Sequence, residues 1–222
     1  MSLKTVIQSL DFFTTLDDRQ LDQLCSIASI HSYEKEYILH YEQDESHKLC
    51  FLLSGLAKAY KIDKHDNEIF LYYLYKNTLI SDITNIKDAP IQNFSNIAFL
   101  DYSEVLEIDY KKFRSLFLES NILGITFINA ALARTQQLQD LINREFIFDS
   151  VSKVAMMIDT DLEIFNQLKR HEISLILNIQ PATLSRVLKR LKRDNIISIE
   201  HGRISVANVP HLKKIYKDGL DD

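Results

Sequence analysis

Residues 171–191 read HEISLILNIQPATLSRVLKRL, and this stretch decides the architecture. Ile173, Ile176 and Leu177 recur at helical spacing on one segment, and Leu184, Val187, Leu188 and Leu191 recur at i, i+3, i+4 and i+7 on the next. Between them lie Asn178, Ile179 and Gln180. Asparagine tolerates the left-handed backbone a tight turn requires, Ile179 plugs the angle between the helices, and Pro181 is preset for the first helical position. Ser174 is small enough for the close approach of two helices. The pattern predicts a helix-turn-helix between Leu168 and Asp194.

The outward face of the second helix would present Gln180, Ala182, Thr183, Ser185, Arg186, Lys189, Arg190 and Arg193. An apolar back and a cationic front suit the DNA major groove, where phosphates flank the base edges. Arg186 is the residue expected to read a base, because a guanidinium bonds two acceptors of one guanine. Gln180, Thr183 and the cluster Lys169, Arg170 and His171 suit phosphate contacts. Asn195 to Val206, with isoleucines on both sides of His201-Gly202, predicts a two-stranded wing, and Pro210 to Tyr216 a closing helix. The competing reading of the same module is a winged helix used for protein contact.

Further toward the N-terminus, Asn121 to Ile147 contains no proline and predicts one long helix. Ile125, Ile128, Leu132, Thr135, Leu138 and Ile142 recur every three or four residues, a stripe narrow enough for a two-helix seam between subunits. Phe127, Ala131, Leu141 and Phe146 widen the apolar surface beyond what a helix lying on its own domain needs. The alternative is a helix packed on its own barrel. Val151 to Asp159 reads as a further helix before the helix-turn-helix.

The remaining half changes period. Tyr37–Tyr41, Leu49–Leu53, Leu56–Ile62, Glu68–Tyr75, Thr78–Ile83, Phe94–Phe99 and Glu104–Ile108 are short, rich in aromatic and branched residues, and separated by polar stretches, which predicts a sandwich or small barrel. With only 4 Gly and 3 Pro, the turns would use Asp66-Asn67, Lys76-Asn77 and Lys87-Asp88. Leu10 to Ile30 reads as an amphipathic helix starting near Asp17 and Asp18, and Tyr110 to Phe117 as a helical turn.

Charge divides along the chain. Residues 1–150 hold 14 Lys+Arg against 22 Asp+Glu, whereas residues 151–222 hold 12 against 9, so the overall charge of -5 hides an acidic half and a basic half. Two cysteines, Cys25 and Cys50, are too few for a disulfide framework or a thiolate metal cluster. No segment approaches the roughly 18 apolar residues of a membrane span, and the start shows no secretory pattern, so a soluble cytoplasmic protein is expected.

These residues carry a resemblance. A short strand-rich barrel, one long helix, then His171-Glu172-Ile173-Ser174 through Thr183-Leu184-Ser185-Arg186-Val187-Leu188 and an Ile196-Ile197-Ser198 wing resembles the cyclic-AMP receptor and fumarate-nitrate regulator (Crp/Fnr) superfamily of bacterial transcription regulators. Leu52-Leu53-Ser54-Gly55 and Leu10-Asp11-Phe12-Phe13 match its barrel more weakly. The resemblance implies an α+β chain in three parts: an effector-sensing, cyclic-nucleotide-binding-like β-barrel (jelly roll) at 1–120, a dimerisation helix at 121–147 and a winged helix-turn-helix at 148–222. It further implies a homodimer on a palindromic double-stranded operator, with RNA polymerase as a partner.

Two departures shape the expected effector. Cyclic-nucleotide members of the family carry a Gly-Glu pair and an arginine in the barrel, but here the matching stretch is Leu79-Ile80-Ser81-Asp82 and no arginine lies between Arg19 and Arg114. Without that planar fork a cyclic phosphate lacks its clamp, which argues against cyclic AMP. The two cysteines also cannot supply the four thiolates of an iron-sulfur cluster. The family places a glutamate just before Thr183, whereas this chain has Ala182, so the recognised half-site should differ from the family's usual one. An aromatic barrel (Tyr60, Phe70, Tyr72, Tyr73, Tyr75, Phe94, Phe99, Tyr102) leaves haem-based gas sensing open, with His31, His40, His47 or His65 as axial ligand, and a cysteine redox trigger likewise open. A cupin-like enzyme would need clustered histidines that the sequence lacks, and no phosphate-binding glycine loop or nucleophile elbow is present.

Overall fold

The structure, a computed structural model, describes residues 2–82 and 90–217. The chain divides into two compact units, Met1–Gln137 and Leu138–Asp222, and the division falls inside the long helix.

The first unit opens with α1 (Leu3–Gln8), a 3-10 turn at Asp11–Phe13 and α2 (Asp18–Cys25). Strands β1 (Ala28–Tyr33), β2 (Ile38–His40), β3 (Glu45–Ser46), β4 (Lys48–Ser54), β5 (Ala57–Ile62), β6 (Glu68–Leu74), β7 (Thr78–Leu79), β8 (Ile91–Gln92), β9 (Asn96–Phe99) and β10 (Ser103–Asp109) follow. Then come α3 (Tyr110–Phe113), a π-helical turn at Arg114–Leu118 and the long α4 (Gly124–Ile142). The strands form two four-stranded antiparallel sheets, ordered β1-β10-β4-β7 and β2-β9-β5-β6, with β3 and β8 pairing apart. This is the double-sheet form of the expected jelly roll.

Strand β4 shows why the sheets stack as they do. Successive side chains point to opposite faces. Cys50 and Leu52 join Ala57, Ala59, Leu74, Ile97, Phe99 and Val105 in a core between the sheets. Leu49 and Phe51 point the other way, into a core shared with Ile7, Leu10, Phe13, Leu24, Phe113 and Phe127 of the helices. A strand covered on both faces reads as the continuous apolar run Leu49 to Leu53 rather than an alternation. Each large side chain so buried stabilises the unit by about 1.5–3 kcal/mol.

Two turns take the backbone the sequence suggested: Asp66 has φ 62° and Asn77 φ 64°. At the β4–β5 turn Gly55 has φ 89°, and a Cβ there would lie 2.1 Å from Ser103 Oγ, so only glycine fits. Lys87-Asp88, and Ile83 at the end of one expected strand, lie outside the described residues; β7 itself covers Thr78–Leu79.

The helix expected within Leu10 to Ile30 starts where Asp17 and Asp18 placed it, and its C-terminal end is corrected. Asp17 and Gln20 form a capping box, with Gln20 N–H donating to Asp17 Oδ1 at 2.8 Å and Asp17 N–H to Gln20 Oε1 at 2.9 Å, which starts α2 at Asp18. The helix ends at Cys25, and Ala28 to Tyr33 pairs with β10 from Ala28↔Ile108 to Tyr33↔Ser103. Pairing with a strand far along the chain outweighed local helical spacing. α1 was also absent from the sequence reading.

The second unit contains the end of α4, a π-helical turn at Asn143–Ile147, α5 (Ser150–Thr160), α6 (Leu162–Gln167), α7 (Arg170–Ile176), α8 (Pro181–Arg193), β11 (Ile197–Glu200), β12 (Arg203–Val206) and α9 (Val209–Lys217). Asp149 caps α5 by accepting from the N–H groups of Val151 and Ser152. Helix α6, not foreseen, supplies Asn166, whose amide donates to Ile204 O at 2.8 Å and accepts from Ile204 N–H at 2.7 Å, fastening β12 to the helices. His201 (φ 49°) and Gly202 (φ 83°) turn β11 into β12 with both central residues left-handed, as a tight hairpin requires.

Candidate nucleic-acid interface

The turn between α7 and α8 is built as its residues suggest. Asn178 takes φ 50°, and Ile179 N–H donates to Ser174 O at 3.0 Å, closing the end of α7. Gln180 O then accepts from Thr183 N–H (2.9 Å) and Leu184 N–H (3.0 Å), starting α8 with Pro181 in its first turn. Ile173, Leu177, Leu184, Val187, Leu188 and Leu191 are buried where the helices meet. Ser174 is buried too, and its hydroxyl is satisfied by donating to Arg170 O at 2.9 Å.

With that side sealed, Gln180, Ala182, Ser185, Arg186, Lys189 and Arg190 are exposed and Thr183 is half-buried. Arg186 Nη2 donates to Thr183 Oγ1 at 3.2 Å and its Nε to Ala182 O at 3.4 Å, so the guanidinium rests over the first turn of α8. Arg190 and Arg193 approach Asp194 at 3.8 and 3.1 Å, which partly neutralises the far end of the helix. Among the described residues, no carboxylate pairs with Arg186 or Lys189. Asp194 offsets part of the charge at the far end, whereas Arg186 and Lys189, at the front and middle of α8, keep theirs for an outside anion. Lys169, Arg170 and His171 are exposed at the start of α7. Lys169 N–H donates to Glu172 Oε2 at 2.6 Å, and Arg170 lies 5.6 Å over the Phe165 ring, where burial lowers its pKa.

One residue of this module escaped the sequence reading. Lys153, on α5, is only 7% exposed. Its Nζ donates to Leu177 O at 3.3 Å and lies 3.8 Å from Glu145 Oε2, so a buried ammonium holds the carbonyl just before the Asn178 turn. The signal was a single lysine in the apolar run Val151 to Ile158.

On α4, Ile125, Ile128, Leu132, Thr135, Leu138 and Ile142 are all exposed, Ile125 at 74%. Phe127 is corrected: at 2% exposure it packs on its own core beside Phe12 and Phe113, and adds nothing to an outer apolar surface. Cys50 is buried, which pushes its thiol up to about 12, and Cys25 is raised for the same reason. His31, His47 and His65 are exposed, while His40 is half-buried with Nε2 lacking a partner among the described residues.

A β-sandwich unit followed by a winged helix-turn-helix, with unneutralised cations on the second helix, defines a DNA-binding transcription regulator. Comparison with known proteins agrees. Residues 30–120 match the cyclic nucleotide-binding domain family and residues 153–215 the Crp-like helix-turn-helix domain family. The cAMP-activated global transcriptional regulator CRP of Escherichia coli is 25% identical over 203 residues, covering 85% of this chain and 94% of that protein. Among solved structures, a CooA variant from Carboxydothermus hydrogenoformans matches with a TM-score of 0.68 at 17% identity, covering 97% of this chain and 96% of that one. A crp/fnr family regulator from Eubacterium rectale matches with a TM-score of 0.63 at 14% identity, covering 94% and 98%. The chain belongs to the Crp/Fnr superfamily of transcription regulators. Among the described residues, no helix is long and apolar enough to cross a membrane.

Proposed function

We propose that this regulator acts in the cytoplasm as a homodimer, joined along the exposed stripe of α4, and reads a palindromic operator with one α8 from each subunit. The carrying observation is α8 itself: a sealed apolar underside and an outer face whose Arg186 and Lys189 lack acidic partners among the described residues. Arg186 makes the base contact, Ala182 packs beside it, and Gln180, Thr183, Ser185, Lys169, Arg170, His171, Lys189 and Arg190 engage the backbone. In a twofold dimer the two reading helices must lie about 34 Å apart, one DNA turn. Residues 1–120 sense an effector, 121–147 join the subunits, 148–222 bind DNA, and RNA polymerase is the downstream partner.

Chemistry narrows the effector. Asp82, at the position of the family's glutamate, accepts Phe94 N–H at 3.0 Å through Oδ2, and no arginine lies between Arg19 and Arg114, so a cyclic phosphate lacks its planar fork on the strands of the first unit. Thiols shifted upward by burial are poorly nucleophilic, which disfavours a cysteine redox trigger.

The test is selection of binding sites from random duplexes, followed by titration of the selected site. Selected sequences should be twofold symmetric. Arg186→Ala should lose about 1–3 kcal/mol of specific binding, a tenfold or greater drop, while binding to unrelated duplex changes little. Leu132→Glu should shift sedimentation from dimer toward monomer. Unchanged specificity in Arg186→Ala refutes the assignment of the reading helix, and a dimer that survives Leu132→Glu refutes the seam.

A further inference from the structure

The second unit encloses a charge that DNA contact does not use. Lys153 stands on α5, which packs against α8 and α9, and its chain neighbours Val154 and Ala155 are fully buried. With the lysine itself buried, its ammonium is out of reach of an outside phosphate.

The backbone of the turn between α7 and α8 explains what that ammonium holds. Asn178 N–H donates to Leu175 O at 3.1 Å and Ile179 N–H to Ser174 O at 3.0 Å, so both turn amides are committed to earlier carbonyls. Were α7 to continue, Leu177 O would accept from residue 181, but Pro181 has no N–H. Among the described residues no backbone N–H reaches Leu177 O, and Leu177 is shut away from water at 1% exposure. A buried carbonyl without a partner would cost about 1–3 kcal/mol. Lys153 Nζ supplies the donor at 3.3 Å. The peptide joining Leu177 to Asn178 is thereby held at both ends, its carbonyl by Lys153 and its N–H by Leu175 O. Asn178, at φ 50°, is where the chain turns from α7 toward α8, so the orientation of this one peptide sets the direction of the second helix.

Glu145 holds the ammonium from the other side. Its Oε2 lies 3.8 Å from Lys153 Nζ, and its Oε1 accepts from Arg144 Nε at 2.9 Å. One cation thus joins the π-helical turn after α4, helix α5 and the turn of the helix-turn-helix. Burying an ammonium is costly, and a well-packed apolar side chain would hold the unit as firmly, so such a pair is a poor source of stability. What it does supply is a single geometry.

We propose that Lys153 is a positioning residue for DNA reading: by pinning the peptide between Leu177 and Asn178 it fixes the angle between α7 and α8, and with it the place of Arg186 against a base edge. Its effect falls on discrimination between sequences and not on the hold on phosphates. A guanidinium on a guanine needs two aligned hydrogen bonds, whereas a lysine on a phosphate acts as a point charge and tolerates a shift. The proposal rests on the reading of α8 as the helix that enters DNA.

The experiment uses the full chain, the duplex selected from the random pool and a shuffled duplex of the same composition. Lys153→Met keeps the apolar stem and removes the donor and its charge. It should lower affinity for the selected duplex about tenfold, within the worth of one base contact, while affinity for the shuffled duplex and its salt slope stay unchanged. Amide exchange should quicken at Ile179, beside the loosened peptide, and stay as it was at Leu188 in the middle of α8. A merely structural lysine would instead weaken both duplexes together and lower the melting midpoint. Glu145→Gln keeps the shape of the partner without its charge and should give the same signature severalfold more weakly. Should Lys153→Met fail to fold, Glu145→Gln decides alone. Parental affinity for the selected duplex, parallel loss on both duplexes, or unchanged exchange at Ile179 overturns the proposal. If Arg186→Ala loses specificity and Lys153→Met does not, the DNA-binding reading stands and only this proposal falls; unchanged specificity in Arg186→Ala removes that reading instead.

Discussion

Each unit sets an arginine against an apolar wall, and the two arginines end in opposite environments. Arg186 lies on the exposed side of α8, bonded only to Thr183 and a carbonyl of its own helix, with the leucine side turned away. Arg134 is turned into its fold, on two carbonyls and over a tyrosine ring. The surrounding charge follows the same division. By sequence, residues 1–150 carry an excess of carboxylates and residues 151–222 an excess of cations. The same side chain is thus left open to an outside anion in one place and spent on the protein's own carbonyls in the other, because burial sets both its dielectric and its access.

The comparison breaks most visibly if the outward face of α8 does not depend on its underside. Leu184 is fully buried, so Leu184→Ala should cost about 2–5 kcal/mol and weaken every DNA complex through loss of the fold. Urea unfolding followed by circular dichroism checks this; parental stability would show that α8 does not rest on its leucines.

A smaller effect distinguishes a phosphate contact from base reading. Lys189→Ala should weaken binding to all duplexes alike and reduce the slope of log affinity against log salt by about 0.9, one phosphate's share. A loss confined to the selected operator would make Lys189 a base-reading residue.

The smallest effect concerns the enclosed side. Burial lowers the pKa of His40, against the opposing pull of Asp44, Glu107 and Asp82. The folded unit therefore holds His40 neutral while the unfolded chain takes up a proton as pH falls through about 6.5, so this residue's contribution is complete above that pH and declines below it. His40→Gln should flatten the fall in unfolding free energy, read from urea titrations between about pH 7 and 5.5, by under about 1 kcal/mol. An unchanged profile would show that His40 is solvated in the folded state.

Particular elements show which structural features could be read in advance. The helix-turn-helix was legible because its determinants are local: Asn178 takes the left-handed turn, Pro181 opens α8, and four apolar residues at helical spacing form one face. The hairpin at His201-Gly202 and the turns at Asp66 and Asn77 were legible for the same reason. Strand β1 was not, since Ser29 to Ser32 reads as strand only once β10, more than seventy residues on, lies beside it. Phe127 sits in a helical stripe, and nothing in its spacing says which of two apolar surroundings takes it.

The amino-acid order alone determined that this chain carries a winged helix-turn-helix after a strand-rich unit, because turn chemistry and side-chain periodicity act over a few residues. Only the tertiary structure decided that Arg134 meets Leu79, Ile80 and Tyr72, that Lys153 holds the carbonyl of Leu177, and that Phe127 faces inward. Those outcomes depend on which distant groups pack together and which charges are shut away from water. Neither quantity is carried by the local pattern of residues.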